Sequence, residues 1–200
     1  GSNKTVTWAS PKICIIDGII ERVSEINGLI HSSYKNNTPL IIVARGYNDD
    51  VQNTLGVNFS TGNLSVVPFC VPYDAFGANL VNDICVVSGC DIISSLKGDI
   101  ISSVLWDDVP TIEKASIDLD KEELVVENNS TKNSVTLHKN MIRTKMLKNT
   151  GFIGSSESDN ATVDVCEKRL SCLMSEGVRL SVGSDLKDSW GITKDRVETQ

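Results

Sequence analysis

Little in this chain offers ready-made chemistry. Histidine occurs twice in 200 residues, at His31 and His138, far apart in the sequence, and aromatic residues make up 5% of it. The six cysteines, Cys14, Cys70, Cys85, Cys90, Cys166 and Cys172, form no C-x-x-C pair, which removes the usual spacing of a zinc site. Cys14 and Cys85 lie in apolar stretches, where thiols serve as small buried hydrophobes. No apolar run has the length needed to cross a bilayer, and no basic leader followed by an apolar segment opens the chain, so a cytoplasmic location is expected. Acidic residues outnumber basic ones 26 to 19, a formal charge of −7. With no continuous basic run to neutralise phosphates, nucleic-acid binding is not expected.

The motifs of common enzymes are missing as well. No glycine-rich run ends in Gly-Lys-Ser/Thr, no G-x-G-x-x-G follows a strand, and G-x-S-x-G does not occur, so neither a phosphate cradle nor a nucleophile elbow is supported. The carboxylate pairs Asp49-Asp50 and Asp107-Asp108 have the chemistry to hold a hard cation, which leaves a small metal-dependent α/β enzyme as one alternative, beside a free-standing protein-interaction domain, because fold does not fix function. Helix starts and solvated loops use the same residues. His31 has no evident partner and reads as a surface histidine.

What is present is a regular alternation centred on residues 39–94. Residues 40–44, Leu-Ile-Ile-Val-Ala, are short, branched and bounded by Pro39 and Gly46, as a buried strand should be. Asn48, Asp49 and Asp50 then offer cap oxygens and negative charge, and Val51, Leu55 and Phe59 recur at intervals of four, which predicts a helix ended by Gly62. A second strand is expected at 64–67, a second helix at 76–87 with Leu80, Ile84 and Val87 on one stripe, a stop at Gly89 and a third strand at 91–94. The fold class is therefore α/β.

Before this core, residues 12–16 predict a strand, and Ile19, Val23, Ile26 and Ile30 predict a helix running from Ile19 to Tyr34. After it, residues 96–105 read as a short helix or irregular segment. A hairpin follows, pairing 115–119 with 123–127, and then a polar, exposed stretch at 128–134. A helix is tolerated at 139–148, where Arg143, Lys145 and Lys148 suggest a basic surface. Residues 151–162 read as a mobile loop, followed by a helix bearing Val165, Leu170, Leu173 and Met174, a strand at 178–182 and a polar terminus.

Four words stand in a telling order and spacing: Pro39-Leu40-Ile41-Ile42-Val43-Ala44, Thr54-Leu55-Gly56-Val57-Asn58, Asp83-Ile84, and Gly89-Cys90-Asp91-Ile92-Ile93-Ser94. Together they resemble the apical domain of the group I chaperonins, the GroEL type. The likeness continues through the hairpin, fades across 128–165, and returns at Glu167-Lys168-Arg169-Leu170, Gly177-Val178 and Val182-Gly183. Arg196-Val197-Glu198 looks like the start of that family's intermediate-domain helix. The resemblance implies layered β-sheets flanked by helices, with residues 3–183 as the apical domain and 184–200 as the beginning of the intermediate segment, while Gly1-Ser2 reads by itself as a cloning scar. The drift in composition fits a divergent member, phage-encoded or organellar.

The implied function is capture of non-native polypeptides in an apolar groove between two helices, here about 19–34 and 49–60, with the same surface available to a co-chaperonin. Burial of apolar surface is non-directional, so such a groove serves many clients. Carried over residue by residue, the polypeptide-binding positions are Asn27 and Ile30 on the first helix and Gln52, Gly56 and Val57 on the second, with Tyr34 adding apolar surface, as Leu29, Val51 and Phe59 also could. The family has aliphatic side chains at the first five; here only Ile30 and Val57 are aliphatic. Each lost aliphatic contact weakens the groove by about 1.5–3 kcal/mol. No catalytic residue, metal or cofactor is implied for this piece. ATP with magnesium, and assembly into a ring, belong to the parent protein, while the fragment itself is expected to be a monomer. Thr199 stands where the family has an aspartate that promotes ATP hydrolysis, and threonine cannot act as a carboxylate base.

Overall fold

A computed structural model describes residues 5–118, 120–121, 123–150 and 156–181. The intermediate segment at 184–200, Thr199 and Gly1-Ser2 lie outside them. The chain begins with β1 (Thr5–Ala9), β2 (Lys12–Ile15) and a two-residue β3 (Ile19–Ile20), and then enters α1 (Asn27–Asn36). Next come β4 (Leu40–Ala44), β5 (Gly46–Tyr47), α2 (Asp49–Ser60), β6 (Val66–Cys70) and α3 (Ala75–Ser88). Short 3-10 turns connect α3 to the hairpin β7 (Lys114–Asp118) and β8 (Glu123–Glu127), and α4 (Lys132–Thr150), α5 (Glu157–Cys172) and β9 (Gly177–Ser181) complete the described chain.

β2, β4 and β6 make a parallel sheet in that order. Its strands are apolar on both faces because both faces are covered. Along β4, Ile41 and Val43 enter one core while Leu40, Ile42 and Ala44 enter the other, and β2 divides its residues in the same period-two manner. α1 and α2 cover one face, through Leu29, Ile30, Val51 and Leu55, with Ile26 just before α1 joining them. Both crossovers advance in the same direction across the sheet, and the right-handed rule places both helices on the same side. α3 covers the opposite face, through Leu80, Val81, Ile84 and Val87. After it the chain returns to the far edge of β2, where Ile93 bridges Ile16 in parallel, and reversing the direction of winding reverses the face.

α3 is the hub. It touches β2 on one side and β8, β9, α4 and α5 on the other. A four-stranded antiparallel sheet, ordered β1-β7-β8-β9, turns Ala115, Ile117, Leu124, Val126, Val178 and Leu180 into the same core. Mixed α/β architecture is therefore present, as the alternation predicts.

Several local expectations change. The predicted helix at 19–34 begins only at Asn27: Ile19 and Ile20 pair with Gly46 and Tyr47 instead, and a 3-10 turn occupies Val23–Glu25. The Glu25 carboxylate accepts the N–H groups of Glu21 and Arg22, each at 2.9 Å, and fixes that turn. Asn48 is the residue before α2, but its side chain does not cap the helix; its Nδ2 donates to the Glu21 carbonyl at 3.1 Å. The strand expected at 64–67 is shifted to β6, which runs through Pro68. Because β6 is an edge strand of its sheet, the missing N–H of Pro68 points off the ladder and costs no bond. The third strand at 91–94 shrinks to the single Ile93 bridge.

Asn128, expected to be exposed, is 4% accessible and its Nδ2 donates to the Val87 carbonyl. Residues 157–162, expected to be a loop, are the first turns of α5, started by a capping box in which Ser156 Oγ accepts the Asp159 N–H and the Asp159 carboxylate accepts the Ser156 N–H. Met174 lies beyond the end of α5, which stops at Cys172.

Candidate functional site

The predicted groove residues fall on the outer, helical layer formed by α1 and α2. The 3-10 turn at Val23–Glu25 touches both helices, so it occupies the ground between them. Asn27 is the first residue of α1, not its middle, and is exposed. Ile30 is 9% exposed and packs with Ile26, Leu29 and Leu40 in the core beneath. Tyr34, one turn further along, is 69% exposed. On α2, Gly56 is buried, while Gln52 and Val57 are half-buried, and Gln52 Nε2 donates to the Tyr47 carbonyl at 3.3 Å.

The layer therefore separates the predicted set. Ile30 packs toward the sheet and Gly56 is buried, Asn27 and Tyr34 are exposed, and Gln52 and Val57 are half-buried. The additional apolar candidates Leu29 and Val51 are 3% and 0% exposed and belong to the core. Phe59 is half-buried and meets Trp8 edge-on, with ring centroids 6.3 Å apart. Helical periodicity alone cannot distinguish a residue packed on the sheet from one beside a groove, which is why these positions were grouped together by sequence.

Electrostatics near the layer are mild. Asp49 and Asp50 are exposed in the first turn of α2, where they complement the positive end of the helix. Among the described residues no group of three or more His, Cys, Asp or Glu side chains is arranged to hold a metal ion, and no helix is long and apolar enough to cross a membrane.

A polar cluster escaped sequence reasoning. Asp83, 0% exposed, sits on the otherwise apolar inner side of α3 and is bound by Arg169 of α5, Nε to Oδ2 at 2.9 Å and Nη2 to Oδ1 at 2.7 Å. His138 Nε2 of α4 lies 2.6 Å from Oδ1, and Arg169 Nη1 donates to Asn79 Oδ1 at 3.2 Å. A carboxylate buried amid Leu80, Val81, Ile84 and Cys85 must find partners; that requirement was the available signal. The cluster joins three helices and, among the described residues, presents no hydroxyl or thiol hydrogen-bonded to His138, so it reads as a clamp.

A cleft of about 710 Å³ opens beside the outer edge of β2, between residues 89–93 and 97–110. Ile100 and Leu105 line it and are 64% and 65% exposed. Two thiols contribute. Burial pushes Cys14 up to about 12, while the hydrogen bond between Cys85 and Cys90 pulls Cys90 below its ordinary value and that same bond, with burial second, drives Cys85 well upward. Arg45 closes the other end of the parallel sheet: its Nη1 meets Asp17 Oδ1 at 3.1 Å, its Nη2 donates to the Pro72 carbonyl, and its guanidinium lies 4.7 Å from the Tyr73 ring centre.

Among the known proteins to which this chain is similar are two described as Chaperonin GroEL. The chain is 28% identical over 118 residues to Chaperonin GroEL of Mycoplasmoides gallisepticum (strain R(low / passage 15 / clone 2)), covering 58% of this chain and 22% of that protein. It is 26% identical over 124 residues to Chaperonin GroEL of Acholeplasma laidlawii (strain PG-8A), covering 60% of this chain and 23% of that protein. The chain thus corresponds to less than a quarter of the length of these curated relatives. No family model matches it. The similarity supports a relationship to GroEL-like chaperonins.

Proposed function

We propose that this chain is the polypeptide-binding, apical part of a divergent chaperonin, and that the layer formed by α1 and α2 receives apolar segments of non-native proteins. The observation that carries the reading is the pairing of these two helices on one face of the parallel sheet, with Tyr34 exposed and Val57 half-buried, in a chain similar to Chaperonin GroEL. Burial of the inner residues makes the layer rigid, and a rigid, shallow apolar surface binds without selecting one sequence.

The chain performs no chemistry in this reading. ATP hydrolysis, ring assembly and any co-chaperonin contact belong to the full-length protein, in the cytoplasm of the cell or of a phage-infected host. Gln52 and Asn27 make the surface more polar than an all-aliphatic groove, so weak capture is expected, strengthened when several copies act together.

The test is fluorescence anisotropy with a labelled, reduced and carboxymethylated protein that cannot fold, against the same protein in its native, disulfide-intact form. Selective binding of the unfolded probe, reduced at least fivefold by Tyr34→Asp together with Val57→Asp, supports the assignment. Equal binding by wild type and the double variant, with both folded by circular dichroism, removes it.

A further inference from the structure

Two thiols meet at the end of α3, away from the α1–α2 layer. Gly89 takes the left-handed conformation there, at φ 70°, and the N–H groups of Gly89 and Cys90 both donate to the Cys85 carbonyl, at 2.9 and 3.2 Å. The bond from Cys90 is the long bond of a Schellman motif, which sets the side chains at its two ends against each other. That contact is ordinarily hydrophobic; here it joins two thiols, hydrogen-bonded to one another. The turn is held from outside as well. Asn128 Nδ2 and Thr131 Oγ1 both donate to the Val87 carbonyl, at 3.0 and 2.6 Å, which fastens the last turn of α3 to the segment before α4.

The two thiols differ in access. Cys85 is 8% exposed and belongs to the core beneath α3, whereas Cys90 is half-buried and lines the cleft of about 710 Å³. A solute entering the cleft meets Cys90 first and reaches Cys85 only through it. Protonation runs in the same order. The shared bond holds Cys90 below its ordinary value, against burial and the Asp91 carboxylate, and drives Cys85 up; the thiolate is the nucleophile of thiol chemistry. Cys14 also lines the cleft, but it belongs to the core on the opposite face of the parallel sheet and burial raises it to about 12, so it is neither attacker nor partner.

We propose that Cys85 and Cys90 are a redox-active dithiol oxidised by hydroperoxides small enough to enter the cleft, with Cys90 as the site of attack and Cys85 as the resolving thiol. The Cys90 sulfur attacks one oxygen of hydrogen peroxide, the O–O bond breaks, and hydroxide leaves, giving a sulfenic acid. The Cys85 sulfur then attacks the Cys90 sulfur. The S–S bond forms, the S–O bond breaks, and the departing hydroxide takes the Cys85 proton as water. Two electrons pass from the dithiol to the peroxide, and a small dithiol such as dithiothreitol returns them by exchange. This inference does not rest on polypeptide capture, and either can fail without the other.

The test is differential alkylation of the 200-residue wild-type chain before and after hydrogen peroxide, read by peptide mapping. Cys85 and Cys90 should become inaccessible to the first alkylating reagent together, in a peptide two hydrogens lighter, and return with dithiothreitol. Cys90 should react at least about tenfold faster than Cys172, which is also half-buried but whose thiol burial holds above its ordinary value. Cys85→Ala should stop the sequence at a sulfenic acid on Cys90, formed more slowly and trapped by dimedone, and Cys90→Ala should leave Cys85 alkylatable. Circular dichroism checks that both variants fold, and the wild-type map decides by itself where one does not. A bond from Cys90 to Cys14, oxidation of Cys90 that leaves Cys85 reduced, or a reaction no faster than that of Cys172 overturns the proposal.

Discussion

Arg169 and Asp83 are 86 residues apart in sequence and share a two-toothed ion pair, with both bonds within 2.9 Å and the carboxylate sealed from solvent. The pair fastens α5 to α3, and His138 adds α4 to the same carboxylate. Removing one member strands the other charge in the core, which costs about 3–5 kcal/mol. Asp83→Asn is therefore expected to lower the urea midpoint sharply. The paired change Asp83→Leu with Arg169→Met leaves no stranded charge and should recover most of that loss, and chemical denaturation of the three proteins checks it.

Gly77 is required by a close approach. A Cβ there would lie 1.7 Å from the Pro72 carbonyl oxygen, in the tight entry from β6 to α3 where the Gly77 N–H also donates to Asp74 Oδ1 at 2.8 Å. The obstacle is backbone, which cannot swing aside. Gly77→Ala should destabilise the protein by ~3 kcal/mol, measured by thermal and urea unfolding. Gly28→Ala, which meets nothing within 4 Å, should be neutral or slightly stabilising by comparison.

Groove substitutions should separate into two classes. Ile30→Asp places a carboxylate in the core and is expected to unfold the chain or cost at least about 3 kcal/mol, so lost client binding by that variant would report on folding. Tyr34→Asp changes a 69% exposed side chain and should leave the unfolding midpoint within about 0.5 kcal/mol of wild type while weakening capture. Measuring midpoint and client affinity for both proteins distinguishes the roles.

The segment after α3 should carry a pH signature. Asp99 accepts the Ser94 N–H at 3.0 Å and pairs with Lys97 at 3.3 Å, and these contacts, the backbone bond first, hold its carboxyl below its ordinary value of 3.8. A lowered folded value means that the contribution is present above 3.8 and disappears as pH falls through the lowered value. Amide exchange at Ser94 is expected to be slower in the wild type than in Asp99→Asn near neutrality, with the difference vanishing in acid below that range. A difference that persists in acid would assign the protection to another group.

Elements whose signals are local were legible in sequence. The apolar run of β4 flanked by Pro39, the acidic start of α2, the left-handed Gly89 after α3 and the two strands of the hairpin all match the structure closely. Ile19 is the instructive failure: its spacing to Val23, Ile26 and Ile30 satisfies a helical period, but pairing of Ile19–Ile20 with Gly46–Tyr47 takes it into a strand. Asn128 is another, since its polarity suggested exposure and the carbonyl of Val87 at the end of α3 needed a donor.

The same division runs through the site. Sequence by itself determined the α/β alternation of the central core, β2, β4, α2, β6 and α3, because period and punctuation act over a few residues. It also carried the resemblance to the chaperonin apical domain. Tertiary structure decided that Ile30 turns to the sheet while Tyr34 stands free, that Asp83 finds Arg169 and His138, and that Cys14 joins one core while Cys85 and Cys90 join the other. Those outcomes depend on which distant surfaces close on each other, and desolvation enforces that closure only when the whole chain is packed.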